Sequence, residues 1–410
     1  MELSEIQQAI EALPPERRRA LLDWMRTLER EPVAATPKLP KPPKLKVARR
    51  PATLQSAVLW SVFSILAFLV VDAAIFRSGW YFNYLLPDST TGQMEFHVFW
   101  VLHTLPDKLP EAAVVGDSRI AEGFTARKAS AAAGEKIHFW NMGVPGSSPR
   151  TWYYMLRDAD PDRKRFRSIT IAMDRYSDED RGENPANRVV DLNYLAGRLR
   201  VTDCPDFSQS FDDPELRKGM LTGCLFKGAT MRRDVQDLLL NRKERLRVAK
   251  LWRNDGHGYI DGYEGKPESL AGLTVDFGKK LISFPPGVKD WQSESVRNFA
   301  LAAPAPQTGA LTAYRRLWLG RILDLYKDSQ TRIVFLELPG GPVPPPEPTV
   351  PARYFDSVAH QPRVTVLPKE MFRDLERPDF YADGLHLNVN GRPVFSERLG
   401  RKVAELMGVN

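Results

Sequence analysis

Residues 112–119 read AAVVGDSR. The opening residues, through Val115, are small or apolar, as expected of a short strand that is buried on both faces of a sheet. Gly116, Asp117 and Ser118 then end the run. A serine in this place is exposed at the carboxyl edge of the sheet, where the N-terminus of a following helix favours negative charge. The same three residues are also a common turn or helix N-cap signal.

Short apolar runs and helical patterns alternate beyond residue 111, which indicates an α/β protein. We predict a three-layer α/β/α sandwich with a flavodoxin-like, mostly parallel five-stranded sheet. The predicted strands are Ala112–Gly116, Lys136–Asn141, Ser168–Met173, Arg332–Leu338 and Val364–Leu367. The predicted helices are Thr125–Ala133, Pro149–Arg157, Leu311–Tyr326, Ala352–His360 and Pro393–Met407.

A long insertion, 178–307, separates the third and fourth predicted strands and contains a charged helical segment near 226–251. A structureless loop of that length is uncommon in a compact domain. We therefore expect a subdomain or lid over the carboxyl ends of the strands, where ligands bind in such sheets.

An apolar stretch lies well before the first strand. Residues 57–76 read AVLWSVFSILAFLVVDAAIF, about the length that a helix needs to cross a bilayer. Asp72 is its single charge and can lie at the membrane interface, where a charge is cheaper than at the bilayer centre. Some fifty residues precede the stretch and no small-residue cleavage pattern follows, so we predict a retained transmembrane helix. A buried core helix is the alternative.

The basic residues are concentrated before this stretch. Residues 1–50 hold 11 Lys/Arg against 7 Asp/Glu, so they carry +4 of the net charge of +7. We therefore expect no nucleic-acid partner. The positive-inside rule instead places residues 1–50 in the cytoplasm and residues 80–410 outside it, as in a single-pass protein of a bacterial-type inner membrane with a periplasmic domain.

These signals divide the chain into five parts. We predict a cytoplasmic helical segment (1–37), a basic Pro-rich juxtamembrane linker (38–55), a transmembrane helix (56–77), an extracytoplasmic connector (78–110) and the α/β domain (111–410). Only Cys204 and Cys224 are present, both in the part placed in an oxidising compartment, which favours a disulfide between them. Two unpaired structural thiols are the alternative, and we expect no metal site.

A carboxylate and an imidazole lie three residues apart near the C-terminus, in Asp383-Gly384-Leu385-His386-Leu387-Asn388. A serine hydroxyl is a poor nucleophile until a neighbouring base takes its proton. An imidazole does this best when a carboxylate fixes its tautomer and orientation. Asp383 and His386 are therefore candidate partners of Ser118, although an isolated pair of this kind is also a common loop hydrogen bond.

Three blocks occur in order: Gly-Asp-Ser after the first strand, Asn141-Met142-Gly143 after the second, and the C-terminal Asp-x-x-His after the last. Together they resemble the SGNH/GDSL hydrolase superfamily over roughly 111–410. The resemblance implies that Ser118 is the nucleophile, His386 the base and Asp383 its orienting acid. It also implies that the amides of Ser118 and Gly143 are oxyanion donors. No cofactor is implied.

The third block departs from the family pattern. The family has Gly-x-Asn-Asp after the third strand, whereas this chain has Asp174-Arg175-Tyr176-Ser177. The usual Asn donor is absent, and Arg175 and Tyr176 are the nearest side chains that could replace it in the oxyanion hole or contact the substrate.

A single membrane span before an SGNH-like domain is similar in layout to accessory proteins of cell-envelope acylation systems. The resemblance implies an O-acyltransferase, with acetyl as the expected group, or an esterase that acts on an envelope or exported polysaccharide. It also implies a membrane-bound O-acyltransferase as partner, besides membrane lipid. The alternative is a catalytically inactive scaffold or polysaccharide-binding subunit that keeps the fold.

Overall fold

The computed structural model describes residues 54–105, 108–173, 190–211, 213–254, 263–300, 313–343 and 358–409. The chain divides into two compact units, residues 1–63 and 64–410. The predicted segment 1–37 and nearly all of the predicted linker 38–55 lie outside the described residues, as does most of the predicted helix Ala352–His360.

The described strands are β1 (Glu111–Gly116), β2 (His138–Gly143), β3 (Phe166–Met173), β4 (Thr274–Asp276), β5 (Leu281–Ser283), β6 (Arg332–Glu337) and β7 (Val364–Val366). Five of them form one sheet in the order β2-β1-β3-β6-β7, and every neighbouring pair is parallel. This confirms the predicted α/β class and the five-stranded parallel sheet. A separate antiparallel pair, β4 and β5, lies in the insertion.

The described α-helices precede, separate and follow these strands. In chain order they are α1 (Leu54–Phe76), α2 (Thr90–His103), α3 (Ser118–Gly123), α4 (Ala126–Ala132), α5 (Pro149–Ala159), α6 (Val190–Leu195), α7 (Cys204–Gln209), α8 (Pro214–Leu225), α9 (Lys227–Thr230), α10 (Arg232–Leu240), α11 (Arg242–Asn254), α12 (Asp290–Ala300), α13 (Ala313–Tyr326) and α14 (Gly391–Met407).

Alternate residues of the central strands enter two different apolar clusters, because successive side chains of a strand point to opposite faces. Ala113 and Val115 of β1 pack in a cluster with side chains of α2, α5 and α13. Ala112 and Val114 pack in the other cluster with side chains of α3, α4 and α14. Every residue of β1 is buried, and within it the residues 112–115 form a continuous apolar run.

Helix α1 contains the predicted membrane segment. The segment Ser56–Phe76 is long and apolar enough to cross a bilayer, and most of its side chains are exposed. A core helix of a soluble protein would instead be mostly buried. The exposed apolar surface of α1 is therefore consistent with lipid contact.

Asp72, whose predicted place at a membrane interface stays a prediction, is buried by the protein. Its side-chain oxygens accept hydrogen bonds from the amides of Lys227 at 3.1 Å and Gly228 at 2.6 Å. A carboxylate with these two donors has lost water without losing its hydrogen bonds. The charge thus joins α1 to the beginning of α9.

The insertion contains two parts with different surroundings. Its first described part, 190–254, is helical, and the predicted charged segment near 226–251 forms α9, α10 and α11. In this part a disulfide links Cys204 at the start of α7 to Cys224 near the end of α8. The second part, 263–300, contains β4, β5 and α12 and packs against the C-terminal loop that carries Asp383.

The end of β2 lies very close to α3. A Cβ atom added at Gly143 would lie 2.2 Å from the Ala121 nitrogen, so only glycine fits there without a backbone shift. Asn141 holds the same junction: its side-chain amide donates to the carbonyls of Ile120 at 3.1 Å and Phe124 at 2.9 Å. The position of α3, and of its first residue Ser118, is therefore determined by β2.

We predict that Gly143→Ala destabilises the fold by forcing α3 away from β2. Overpacking of this kind typically costs about 1–3 kcal/mol. The measurement is the thermal unfolding midpoint of the full-length protein in detergent. Gly320→Ala in α13 is the matched control, since an added Cβ meets nothing within 4 Å there and alanine is the better helix former. Equal midpoints for the two variants would contradict the close-packing argument.

Candidate functional site

Ser118 is the first residue of α3, and only Asp117 separates it from the end of β1 at Gly116. Asp117 is the N-cap: its side chain accepts the Arg119 amide at 2.9 Å. The Arg119 guanidinium also pairs with the Asp117 carboxylate at 2.6 Å, which holds that cap in place. The two interpretations of Gly-Asp-Ser are thus compatible, because Asp117 caps the helix and Ser118, half-buried, remains available for other contacts.

The loop that carries Asp383 and His386 is folded by its own carboxylate. Asp383 Oδ1 accepts the amides of Leu385 at 2.8 Å and His386 at 2.9 Å. This turn brings the two side chains to the same side of the loop, and His386 Nδ1 lies 2.9 Å from Asp383 Oδ2. The spacing of three residues is therefore what the turn requires.

Two side chains of α12 support this loop from the insertion. Gln292, which is buried, donates to the carbonyl of Ala382 at 2.6 Å. Ser295 Oγ accepts the amide of Gly384 at 3.1 Å. The insertion thus positions the Asp383–His386 turn as well as surrounding it.

The structure brings Ser118, His386 and Asp383 into one hydrogen-bonded chain, although 268 residues separate Ser118 from His386. His386 Nε2 lies 2.9 Å from Ser118 Oγ, within the reach that general-base catalysis needs. The other ring nitrogen faces Asp383. This is the geometry of a nucleophile, a base and an orienting acid.

The charge on Asp383 determines which nitrogen of His386 carries the proton. Burial opposes ionisation of Asp383, but hydrogen bonds from the His386 ring and from the Leu385 and His386 amides outweigh it and lower its pKa to about 2. An ionised carboxylate can only accept, so His386 Nδ1 carries the hydrogen. In the neutral ring, Nε2 is then left as an acceptor for the Ser118 hydroxyl.

The sequence patterns did not identify two charged residues that lie beside the hydrogen-bonded Ser118, His386 and Asp383. Glu122 Oε1 lies 4.0 Å from His386 Nε2. Lys266 Nζ lies 2.7 Å from Glu122 Oε2 and 3.4 Å from Asp383 Oδ2, so one cation bridges the two carboxylates. Burial opposes the charge of Lys266, but Glu122 and Asp383 outweigh it and raise its pKa. Within the described ranges, no three His, Cys, Asp or Glu side chains are grouped to hold a metal ion.

A sequence signal existed for Glu122 but not for Lys266. Glu122 lies four residues after Ser118, so the two share one face of a helix. Lys266 belongs to the insertion, and no spacing in the sequence relates it to the C-terminal turn. Only the folded chain brings Lys266 near Asp383.

The two predicted oxyanion donors, the amides of Ser118 and Gly143, differ in their hydrogen bonding. The Ser118 amide lies in the first turn of α3, where helix amides have no partner within the helix. The Gly143 amide instead donates to Asn141 Oδ1 at 2.9 Å, so it would have to leave that acceptor before it could bind an oxyanion. Its role as a donor stays a prediction. Arg175 and Tyr176 lie outside the described residues.

A buried histidine holds the other side of the Gly143 peptide unit. His97 Nε2 of α2 lies 3.1 Å from the Gly143 carbonyl. Burial lowers the pKa of His97 to about 4, so the ring is neutral at pH 7 and donates to this oxygen. The backbone around Gly143 is therefore fixed from both sides.

The sequence matches no known family model, and no curated protein aligns with it at a significant level.

We predict that Asp383→Asn removes an acid-sensitive part of the stability. The pKa of Asp383 is lowered from 3.8 to about 2, so its ionisation stabilises the fold fully above about pH 4 and this contribution is lost as the pH falls through 2. The shift corresponds to about 2 kcal/mol at pH 7. Urea unfolding of the full-length protein in detergent, at pH 7 and pH 3, measures this contribution.

The difference in unfolding free energy between wild type and Asp383→Asn should shrink at pH 3. Asp328→Asn, at an exposed turn after α13, is the control and should track the wild type at both pH values. A pH-independent loss in Asp383→Asn would contradict the assignment of the charge.

Proposed function

We propose that the chain is a membrane-anchored SGNH-type O-acyltransferase or esterase that acts outside the cytoplasm on an envelope or exported polysaccharide. The observation that carries the proposal is the Ser118–His386–Asp383 chain, with 2.9 Å between the hydroxyl oxygen and the facing nitrogen. The expected acyl group is acetyl. No cofactor enters the proposed reaction.

The sheet supports the finer fold assignment as well. The strand order β2-β1-β3-β6-β7 is the order of a flavodoxin-like sheet, and helices contribute to the apolar clusters on both faces, as in a three-layer α/β/α sandwich. Such sheets bind ligands beyond the carboxyl ends of the strands, where the strand order reverses. Ser118 follows β1, next to that point.

In the proposed reaction His386 Nε2 takes the proton of the Ser118 hydroxyl as its oxygen attacks the acyl carbonyl of the donor. The carbonyl π electrons move to its oxygen, and the tetrahedral intermediate then collapses. The bond to the donor's leaving group breaks, and that group receives the proton from His386. An acyl-serine remains. A sugar hydroxyl, or water in an esterase, attacks it in a second step of the same kind, and Ser118 recovers its proton.

Glu122 and Lys266 are proposed to shape the charge around this reaction. When His386 carries the proton, Asp383 and Glu122 both lie close enough to stabilise the imidazolium. Lys266 offsets part of that negative charge because it pairs with both carboxylates. The Ser118 amide is the proposed oxyanion donor that needs no rearrangement. Gly143, Arg175 and Tyr176 remain candidates for the second.

The membrane location rests on α1 and on the basic residues that precede it. We propose a single span with the N-terminus in the cytoplasm and residues 80–410 in the periplasm of a bacterial-type cell. The Cys204–Cys224 disulfide supports an oxidising compartment for this domain. A membrane-bound O-acyltransferase is the proposed partner that supplies the acyl group.

Two observations favour a second candidate, a non-catalytic polysaccharide-binding subunit. The Gly143 amide is already bonded to Asn141, and the third block has Asp174-Arg175-Tyr176 in place of the family's Gly-x-Asn. A weakened oxyanion hole would leave the fold and remove turnover. The intact Ser118–His386 contact favours catalysis over this alternative.

We predict that Ser118→Ala and His386→Ala each abolish acyl transfer, and that the double variant loses little more, because the residues act as a unit. Asp383→Asn should lower the rate by about 10⁴-fold through loss of ring orientation. The measurement is labelling of the full-length protein by a fluorophosphonate probe, together with release of 4-nitrophenol from its acetate ester.

Ser283→Ala in β5 and His103→Ala in α2 are the controls, both at exposed positions, and should react as the wild type does. If the folded wild-type protein neither takes the probe nor releases 4-nitrophenol, the binding-subunit alternative replaces the enzyme.

We predict that a reporter fused after Asn410 is active only when it depends on export. An alkaline phosphatase fusion should be active and a green fluorescent protein fusion dark, since the basic run holds the N-terminus inside. The reverse result would overturn the orientation and the periplasmic assignment together.

A further inference from the structure

The outer part of α1 is held by the turn between α8 and α9. Asp72 accepts the amides that begin α9. One turn further on, the Arg77 guanidinium donates to the carbonyls of Cys224 at 2.6 Å and Leu225 at 3.2 Å. The disulfide to Cys204 fixes the end of α8 in turn. This turn therefore lies against the side of α1 rather than beyond its end.

The depth of the turn follows from an aromatic contact. The rings of Phe226 and Phe68 lie 5.9 Å apart between centroids. Phe68 precedes Phe76, the last residue of the candidate span, by eight positions, or about 12 Å along a helix. If Ser56–Phe76 crosses a bilayer, Phe226 lies at the level of the acyl chains of the outer leaflet.

The side chains around the turn fit a lipid environment. Phe68 is 54% exposed and Leu221, one helical turn before Leu225, is 37% exposed, so apolar surface faces outward on both α1 and α8. The polar backbone at this depth is paired, because Asp72 and Arg77 occupy the amides and carbonyls of the turn. Backbone that is paired in this way is tolerated at membrane depth.

Basic residues follow at the level of the bilayer surface. Met231 belongs to the same buried apolar cluster as Phe76, the residue at the outer end of the candidate span. The next two residues, Arg232 and Arg233, are exposed. Arginine at that height meets lipid phosphate groups, and the attraction strengthens when the lipid carries net negative charge.

We propose that the turn around Phe226, with Leu221, inserts into the outer leaflet beside α1, while Arg232 and Arg233 contact anionic phospholipid headgroups. The proposal rests on the membrane anchoring stated above. A single span alone would let the exported domain tilt and rotate. This second contact, 150 residues later in the chain, holds the domain and its Ser118 site in one orientation to the membrane.

Nitroxide labels on the full-length protein in nanodiscs of phosphatidylcholine and phosphatidylglycerol test the insertion. A label at Phe226→Cys, and separately at Leu221→Cys in case the first variant folds poorly, should collide with oxygen and lose collision with a water-soluble nickel chelate. Ile65→Cys, exposed on α1, marks the lipid, and Leu281→Cys, exposed on β5, marks the water. The native cysteines, joined to each other, do not take the label.

Labels at Phe226 and Leu221 that match Leu281→Cys, while Ile65→Cys reports lipid, would overturn the insertion and leave the anchoring intact. Aqueous behaviour at Ile65 itself would instead mean that the proposed anchoring has failed.

Removing the positive charges of Arg232 and Arg233 tests the headgroup contact. The wild type should have a higher thermal midpoint in nanodiscs that contain phosphatidylglycerol than in phosphatidylcholine alone, and Arg232→Gln with Arg233→Gln should lose this difference. Arg316→Gln, exposed on α13, should keep it. A lipid-charge dependence that survives the double change would contradict the role of these arginines.

Discussion

The close approach of α3 to the end of β2 determines where Ser118 can point. A Cβ at Gly143 would clash with the backbone of α3. The Asn141 side-chain amide donates to the carbonyls of Ile120 and Phe124, in and just after α3. These contacts therefore fix the position of α3 on the sheet. Asp117 caps its beginning, and Ser118 is its first residue, at the carboxyl edge of the sheet.

The C-terminal turn reaches this edge through a different set of constraints. Asp383 folds its own loop through the backbone amides, and the same carboxylate orients His386. Because one group performs both tasks, the local fold and the proposed chemistry depend on the same negative charge. Asn388 then accepts the amides of Asn390 and Gly391, which ties the turn to the beginning of α14.

The insertion contributes to two separate sets of contacts. Its second part supplies Lys266 beside Asp383 and Gln292 beneath the turn. Its first part surrounds Asp72 and Arg77 at the outer end of α1. The insertion separates β3 and β6 along the chain, although these strands pair directly in the sheet. It contributes both to the surroundings of the Ser118 site and to the proposed membrane contact.

The sequence by itself determined the five strands, the candidate span and the three residues that meet at the sheet edge. Buried parallel strands appear in the sequence as short continuous apolar runs, and a transmembrane helix appears as a much longer apolar run. The Gly-Asp-Ser and Asp-x-x-His blocks are visible as local sequence patterns. Strand ends were uncertain by one or two residues, since β2 begins at His138 and not at Lys136.

Only the tertiary structure decided the position of Lys266, the bond that occupies the Gly143 amide and the burial of Asp72. Each depends on contacts between segments distant in the chain or on the direction of a single peptide group. No periodicity or spacing encodes such contacts, because they arise when separate elements pack together.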